Sequence, residues 1–319
     1  MPTHPEFSPN PIGRRAFLKA GAIGVGTLAA ESLNDQRSAR ASNLTQDEAP
    51  IETGSSSKQS LIDVNVSLSQ WPFRRVPGDE TVELVAKLKG QGVVEAWAGS
   101  FDALLHRDLA GVNQRLAEEC ASHGKGILQP FGAVNPLLPD WEEDVRRCHE
   151  THHMKGIRLH PNYHGYALDH ENVGRLLELA AKRGLVVQIP LTLEDERTHH
   201  PRMLTPHVAT KPLHGHLERF PNLQVVVLNA FRSLRGEPLN QLAKFPNVSF
   251  DIAMLEGVGG VETLLGSLRT DQVLFGSHAP FFYFEAAAFK LKESALTEAQ
   301  TLAVTRENAQ RILTASQNS

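Results

Sequence analysis

From Leu61 onward the chain alternates between short apolar or β-branched runs and longer stretches in which Leu, Val and Ala recur at helical spacing. The short runs are LIDVNVSL, VVEAWAGS, GILQPFGAV, KGIRLHP, LVVQIPL, LQVVVLNAF, VSFDIAM and QVLFGSH, and each reads as a strand. Between them the spacing predicts helices such as Glu80 to Lys89, Val112 to His123, Trp141 to Thr151, Asn172 to Lys182 and Val261 to Ser267. Alternation of this kind marks parallel βα units. About eight units predict an α/β chain closed into a (β/α)8 TIM barrel, whose functional groups sit at the C-terminal strand ends. A doubly wound open sheet is the main alternative, but no strand leads into the Gly-rich phosphate loop of a dinucleotide fold.

A length of 319 residues, 41% of them hydrophobic, suffices for one large domain with a substantial core. The formal charge of −4 comes with no basic stripe, which argues against nucleic acid as a partner. Cys120 and Cys148 fall in predicted amphipathic helices without a CxxC neighbour, and read as buried free thiols. The N-terminus is organised differently. Gly13-Arg14-Arg15-Ala16-Phe17-Leu18-Lys19 leads into the small-residue run AGAIGVGTLAA, which resembles a twin-arginine export signal and is too short to span a membrane. Cleavage after Ala39-Arg40-Ala41, or at Ala29-Ala30, divides the chain into a signal (1–41), a polar Ser-rich linker (42–60) and the barrel domain (61–319). The expectation is an exported protein of the periplasm or cell envelope, with no membrane contact in its mature form.

Several segments together resemble the amidohydrolase-related branch of the amidohydrolase superfamily, a group of barrel hydrolases and decarboxylases. They are IDVNVSL with the following WPF, MKGIRLHPNYHGY, HLERFPNLQVVVLNAF, VLFGSHAPFF and the closing RENAQRILT, spanning Leu61 to Thr314. The resemblance implies metal-ligand positions, and this chain departs from them. The first-strand His-x-His falls on Asn65 and Ser67, the fifth-strand histidine on or beside Gln188, the sixth-strand histidine on Asn229 and the eighth-strand aspartate on His278. Amides and hydroxyls are poor zinc ligands, so no ordinary metal site is expected. The alternative is zinc or manganese at a modified site. The resemblance also implies association through outer helices, so that a homodimer would be unsurprising.

The strand ends still carry chemistry. His160, His278 and Asp251 end predicted strands, His164 and Tyr166 follow in the next loop, and LEDERTHHP brings Asp195, Arg197, His199 and His200 onto one loop. A metal-free arrangement would use His278 or His160 as general acid/base, with Asp195 or Asp251 orienting the ring. Arg197 would clamp a substrate carboxylate. His164, Tyr166, His199, Asn65, Gln188 and Asn229 would complete the substrate surface. Each has a plainer role: Asp195 with Arg197 as a loop ion pair, His160 as a turn residue, His199 or His200 as solvated side chains, Trp71 and Phe73 as caps on the barrel. The expected function is hydrolysis of a small carboxylated or cyclic ester, lactone or amide. Decarboxylation by the same barrel is the rival reaction, and a non-catalytic envelope binding protein the rival class.

Overall fold

The computed structural model describes residues 60–200 and 204–317. The signal and almost all of the linker expected from the sequence lie outside the described residues. Eight parallel strands follow one another in chain order: β1 (Leu61–Leu68), β2 (Val93–Ser100), β3 (Leu128–Ala133), β4 (Gly156–Arg158), β5 (Val186–Pro190), β6 (Val225–Leu228), β7 (Val248–Asp251) and β8 (Val273–Leu274). The last strand returns to the first: Val64 N–H donates to the Phe275 carbonyl at 3.0 Å and Ser67 N–H to the Ala279 carbonyl at 2.9 Å. The fold is therefore a (β/α)8 barrel.

The helices between the strands are α1 (Thr81–Gly90), α2 (Leu109–His123), α3 (Trp141–Arg146), α4 (Pro161–His164), α5 (Glu171–Lys182), α6 (Leu213–Arg219), α7 (Glu237–Ala243) and α8 (Gly260–Leu265). After β8 come α9 (Phe284–Lys292), α10 (Glu298–Leu302) and α11 (Asn308–Gln317). Each covering helix buries one stripe, such as Leu84, Val85 and Leu88 of α1 or Val173, Leu176, Leu177 and Ala180 of α5. Among the described residues no helix is long and apolar enough to cross a membrane. Both cysteines are buried and free, and burial pushes each thiol up to about 12.

Alternation along the strands separates two cores. Ile157, Val187, Val227 and Phe250 belong to the larger one, together with the helix stripes. Ile62, Val64, Trp97, Phe131, Val186, Val226, Leu228 and Leu274 form a second one with Ala309 and Ile312 of α11. Trp97 and Phe131 stack at 5.0 Å, and α11 closes that cluster. Above this apolar layer, toward the C-terminal strand ends, the residues turn polar. That change positions the site.

Ile312 is 1% exposed, and Ile312→Ala should cost about 2–5 kcal/mol, read as a lower urea midpoint at unchanged slope.

Candidate functional site

The polar layer consists of Asp63, Asn65, Ser67, Arg158, Gln188, Asn229, Asp251 and Ser277, all 4% exposed or less. Groups so buried must find partners inside the fold, and these do. Asn65 Nδ2 donates to Asn229 Oδ1 at 2.9 Å and to Asp251 Oδ2 at 2.7 Å. Asn229 donates its backbone N–H to Asp251 Oδ1 (2.7 Å) and its Nδ2 to the Thr192 carbonyl (2.8 Å). Asn229 holds a left-handed backbone, φ 57°, which asparagine tolerates better than most residues. Asp63 accepts from the Ser277 hydroxyl at 2.5 Å, the Ser277 N–H at 3.0 Å and the Asn65 N–H at 3.1 Å.

Arg158, which the sequence analysis passed over, is the largest polar side chain of the layer. Its Nε donates to Gln188 Oε1 (2.8 Å), its Nη1 to the Val66 carbonyl (2.9 Å) and Ser67 Oγ (3.2 Å), and its Nη2 to the Trp97 carbonyl (3.1 Å). Gln188 completes the link by donating to the Val64 carbonyl at 2.8 Å. A residue of β4 that bonds to β1, β2 and β5 spans the barrel interior. Burial lowers the guanidinium to about 10, opposed by the charges of Asp251 and Asp63, so it stays protonated at neutral pH. Burial raises Asp63 to about 7, against its hydrogen bonds from Ser277 and Asn65. Asp251 is raised to about 6 by burial, opposed first by Asn65 and Asn229 and then by Lys290 and Arg158.

Above this layer lie the histidines. His278 is fully buried with φ 58°, and its Nε2 bonds to the Leu193 carbonyl at 2.8 Å. A carbonyl only accepts, so the ring proton sits on Nε2 and Nδ1 keeps a lone pair that no atom of the described residues uses. His164 repeats the pattern: Nε2 bonds to the Ala103 carbonyl at 2.8 Å and Nδ1 is unbonded. His160 is 3% exposed with both ring nitrogens unbonded, 5.8 Å ring to ring from His164. Burial lowers His278 to about 4 and His160 well below the usual imidazole value, with Arg158 adding to both effects. His164 is lowered too, chiefly by burial.

An aromatic cap lies over these rings. Trp71, 2% exposed, meets Phe281 at 4.8 Å, Phe101 at 5.2 Å, Phe73 at 5.6 Å and Tyr163 at 6.3 Å, and Phe281 meets His278 at 5.3 Å. Trp71 thus has the capping role expected for it, while Phe73 is 39% exposed at the edge. Tyr166 is buried with an unbonded hydroxyl and lines a cavity of about 310 Å³ between the loops after β4 and β5.

The imidazole–carboxylate pair expected from the sequence is not formed among the described residues. Asp251 is committed to Asn65 and Asn229, and a backbone carbonyl orients His278 instead. Asp195 accepts from Arg197 (2.6 Å) and Arg232 (3.0 Å), and the Arg197 guanidinium holds its carboxyl well below the usual range. With Arg197 80% exposed, this is the loop ion pair named above as its plainer role. His199 is half-buried and His200 exposed on the same loop. The strand alternation that puts Arg158 and His160 on one face was the available signal for Arg158.

The family model described as amidohydrolase matches residues 72–314, and the chain belongs to that family of enzymes. No curated protein matches the sequence. Among solved structures it is similar to 2,6-dihydroxybenzoate decarboxylase from Rhizobium, with 14% identity over 80% of this chain and 99% of that one and a TM-score of 0.61. It is also similar to 5-carboxyvanillate decarboxylase from Sphingomonas paucimobilis (14% identity, 80% of this chain, 99% of that one, TM-score 0.63). A third is the 5-carboxyvanillate decarboxylase from Novosphingobium aromaticivorans, solved with bound manganese (14% identity, 81% and 98%, TM-score 0.60). Identities this low carry the fold alone.

The residues present do not fit such a metal. Asn65 turns an N–H donor toward Asp251 and Asn229, and a donor is no ligand. Gln188 Oε1 and Ser67 Oγ face a guanidinium already. A divalent ion bound by those oxygens would sit beside a fixed positive charge, which repels it even at the moderate effective dielectric of a protein interior.

The buried groups give a pH signature with opposing parts. Asp63, raised from 3.8 to about 7, adds stability below the unfolded value that is lost as pH rises through 7. His278, lowered from 6.5 to about 4, makes stability fall as pH drops through that window. Asp63→Asn should therefore make stability climb more steeply with pH, and His278→Gln less steeply. Each slope change is expected to be on the order of 2 kcal/mol between acid and neutral pH, read from urea midpoints.

Proposed function

We propose that this chain is a metal-independent enzyme of the amidohydrolase family that decarboxylates a small hydroxylated carboxylic acid, with His278 and His160 as its acid–base groups. The observation that carries the reading is the lone pair of His278 Nδ1: buried, tautomer-fixed by the Leu193 carbonyl, and used by no atom of the described residues. A neutral imidazole can take the proton of a substrate hydroxyl and return it to the carbon bearing the carboxylate. The carbon–carbon bond then breaks with its electron pair left on that carbon, carbon dioxide departs, and one solvent proton restores the hydroxyl. The aromatic cap favours this over hydrolysis, because removing water destabilises a carboxylate and also removes the nucleophile that hydrolysis needs. The similar enzymes take their names from aromatic acids, 2,6-dihydroxybenzoate and 5-carboxyvanillate, which supports the same substrate class. The Arg14-Arg15 segment would put the reaction in the cell envelope.

A second reading is a binding barrel without turnover, favoured by the burial of Trp71, Phe101, Leu104 and Leu193 over the strand ends. One assay separates the two: carbon dioxide release from a panel of hydroxylated aromatic acids, with small esters and lactones beside them. Turnover of an acid that His278→Gln lowers by about 100-fold or more, with little change in melting temperature, is the expected result. A chelator should leave the rate unchanged. Ligand-induced stabilisation with no turnover of any of these compounds would sink the enzyme and leave the binding barrel.

A further inference from the structure

The barrel interior holds a cation of its own, and the fold makes room for it. The Arg158 guanidinium touches three other strands, through Gln188, Val66, Ser67 and Trp97. Opposite it on β2 stands Gly99, where a Cβ would lie 2.8 Å from Arg158 Nη1 and 2.9 Å from its Cζ. No left-handed backbone explains that glycine, since Gly99 is absent from the positive-φ positions. The space it leaves is the space the guanidinium fills. A matching gap receives the acid: a Cβ at Gly276 would lie 2.5 Å from Asp251 Oδ2 and 3.0 Å from the Asn65 Cβ. Cation and anion thus each sit in a cradle that one added carbon would close, and Asp251 accepts from the Asn65 side-chain amide and the Asn229 backbone N–H, two residues at which the resemblance puts metal ligands.

We propose that the Arg158 guanidinium is the resident cation of this barrel, standing in electrostatically for the family's divalent metal and keeping such an ion out. Arg158 is a positioning residue in this role: it supplies the positive charge facing Asp63 and Asp251 and fixes β1, β2 and β5 around the polar layer. The proposal holds whether or not the barrel turns over a substrate.

Two experiments on the full chain test it. The first restores the ligand set with Asn65→His, Ser67→His, Gln188→His, Asn229→His and His278→Asp, and titrates zinc or manganese with and without Arg158→Met. Metal should bind at least about 100-fold more tightly once Arg158 is gone. Equal affinity in the two backgrounds would overturn the proposal, as would a stoichiometric ion in the unaltered chain whose removal by chelator lowers the melting temperature. The second needs no restored site and guards against that variant failing to fold. Gly99→Ala should lower the melting temperature clearly in the unaltered chain and far less in the Arg158→Met chain, a coupling that a double-mutant cycle measures. Arg158→Lys, which keeps the charge, should melt above Arg158→Met. Additive effects, or a methionine variant as stable as the lysine one, would show that neither the seat nor the charge matters.

Discussion

A guanidinium that crosses the inside of a barrel must have every direction around it arranged in advance. Arg158 reaches from β4 to the Gln188 amide of the neighbouring β5 and, across the interior, to carbonyls of β1 and β2. Much else follows from this one placement. Gly99 is bare to admit it, Gln188 turns its oxygen to it and its nitrogen to Val64, and Asp63 and Asp251, held chiefly by hydrogen bonds from Ser277, Asn65 and Asn229, share its layer. An unpaired charge in such a place would cost several kcal/mol, and a layer with its hydrogen bonds satisfied avoids most of that.

The family resemblance and the chemistry therefore separate at the strand ends. At the positions where the resemblance implies ion-binding groups, this chain carries polar groups that bind one another. Asn65, Asn229 and Asp251 make a closed set of donors and acceptors. The fold does not decide between ligand cage and hydrogen-bond layer, since either satisfies the rule that buried polar groups need partners.

All eight strands could be located from the sequence, because buried parallel strands are short apolar runs: LIDVNVSL and VVEAWAGS coincide with β1 and β2, while KGIRLHP, LQVVVLNAF and QVLFGSH run past the ends of β4, β6 and β8. The histidines at the strand ends and the capping role of Trp71 were readable for the same reason. Arg158 was not, although its two-residue offset from His160 put both on one face. A lone arginine in an apolar run reads as a strand-end charge until its partners on three other strands are known. The loop Leu193 to His200 misled in the opposite sense. Its charges are dense in sequence, yet Asp195 turns to Arg197 and Arg232, while the uncharged Leu193 carbonyl of the same loop orients His278. Sequence displays side chains and hides the backbone acceptors that set a tautomer.

That tautomer bears on what a buried histidine can do. Burial and, less, the charge of Arg158 both act against the imidazolium, so His278 and His160 are neutral at neutral pH. A neutral imidazole with its proton tied to a carbonyl has nothing to donate and one lone pair to offer. Under the proposed reading the first proton must then come from the substrate, which requires an acidic hydroxyl beside the bond to be cleaved. The imidazolium so formed is disfavoured by its surroundings, and this same disfavour drives the proton onward to carbon. A site of this kind selects its substrates by their acidity before it selects them by shape.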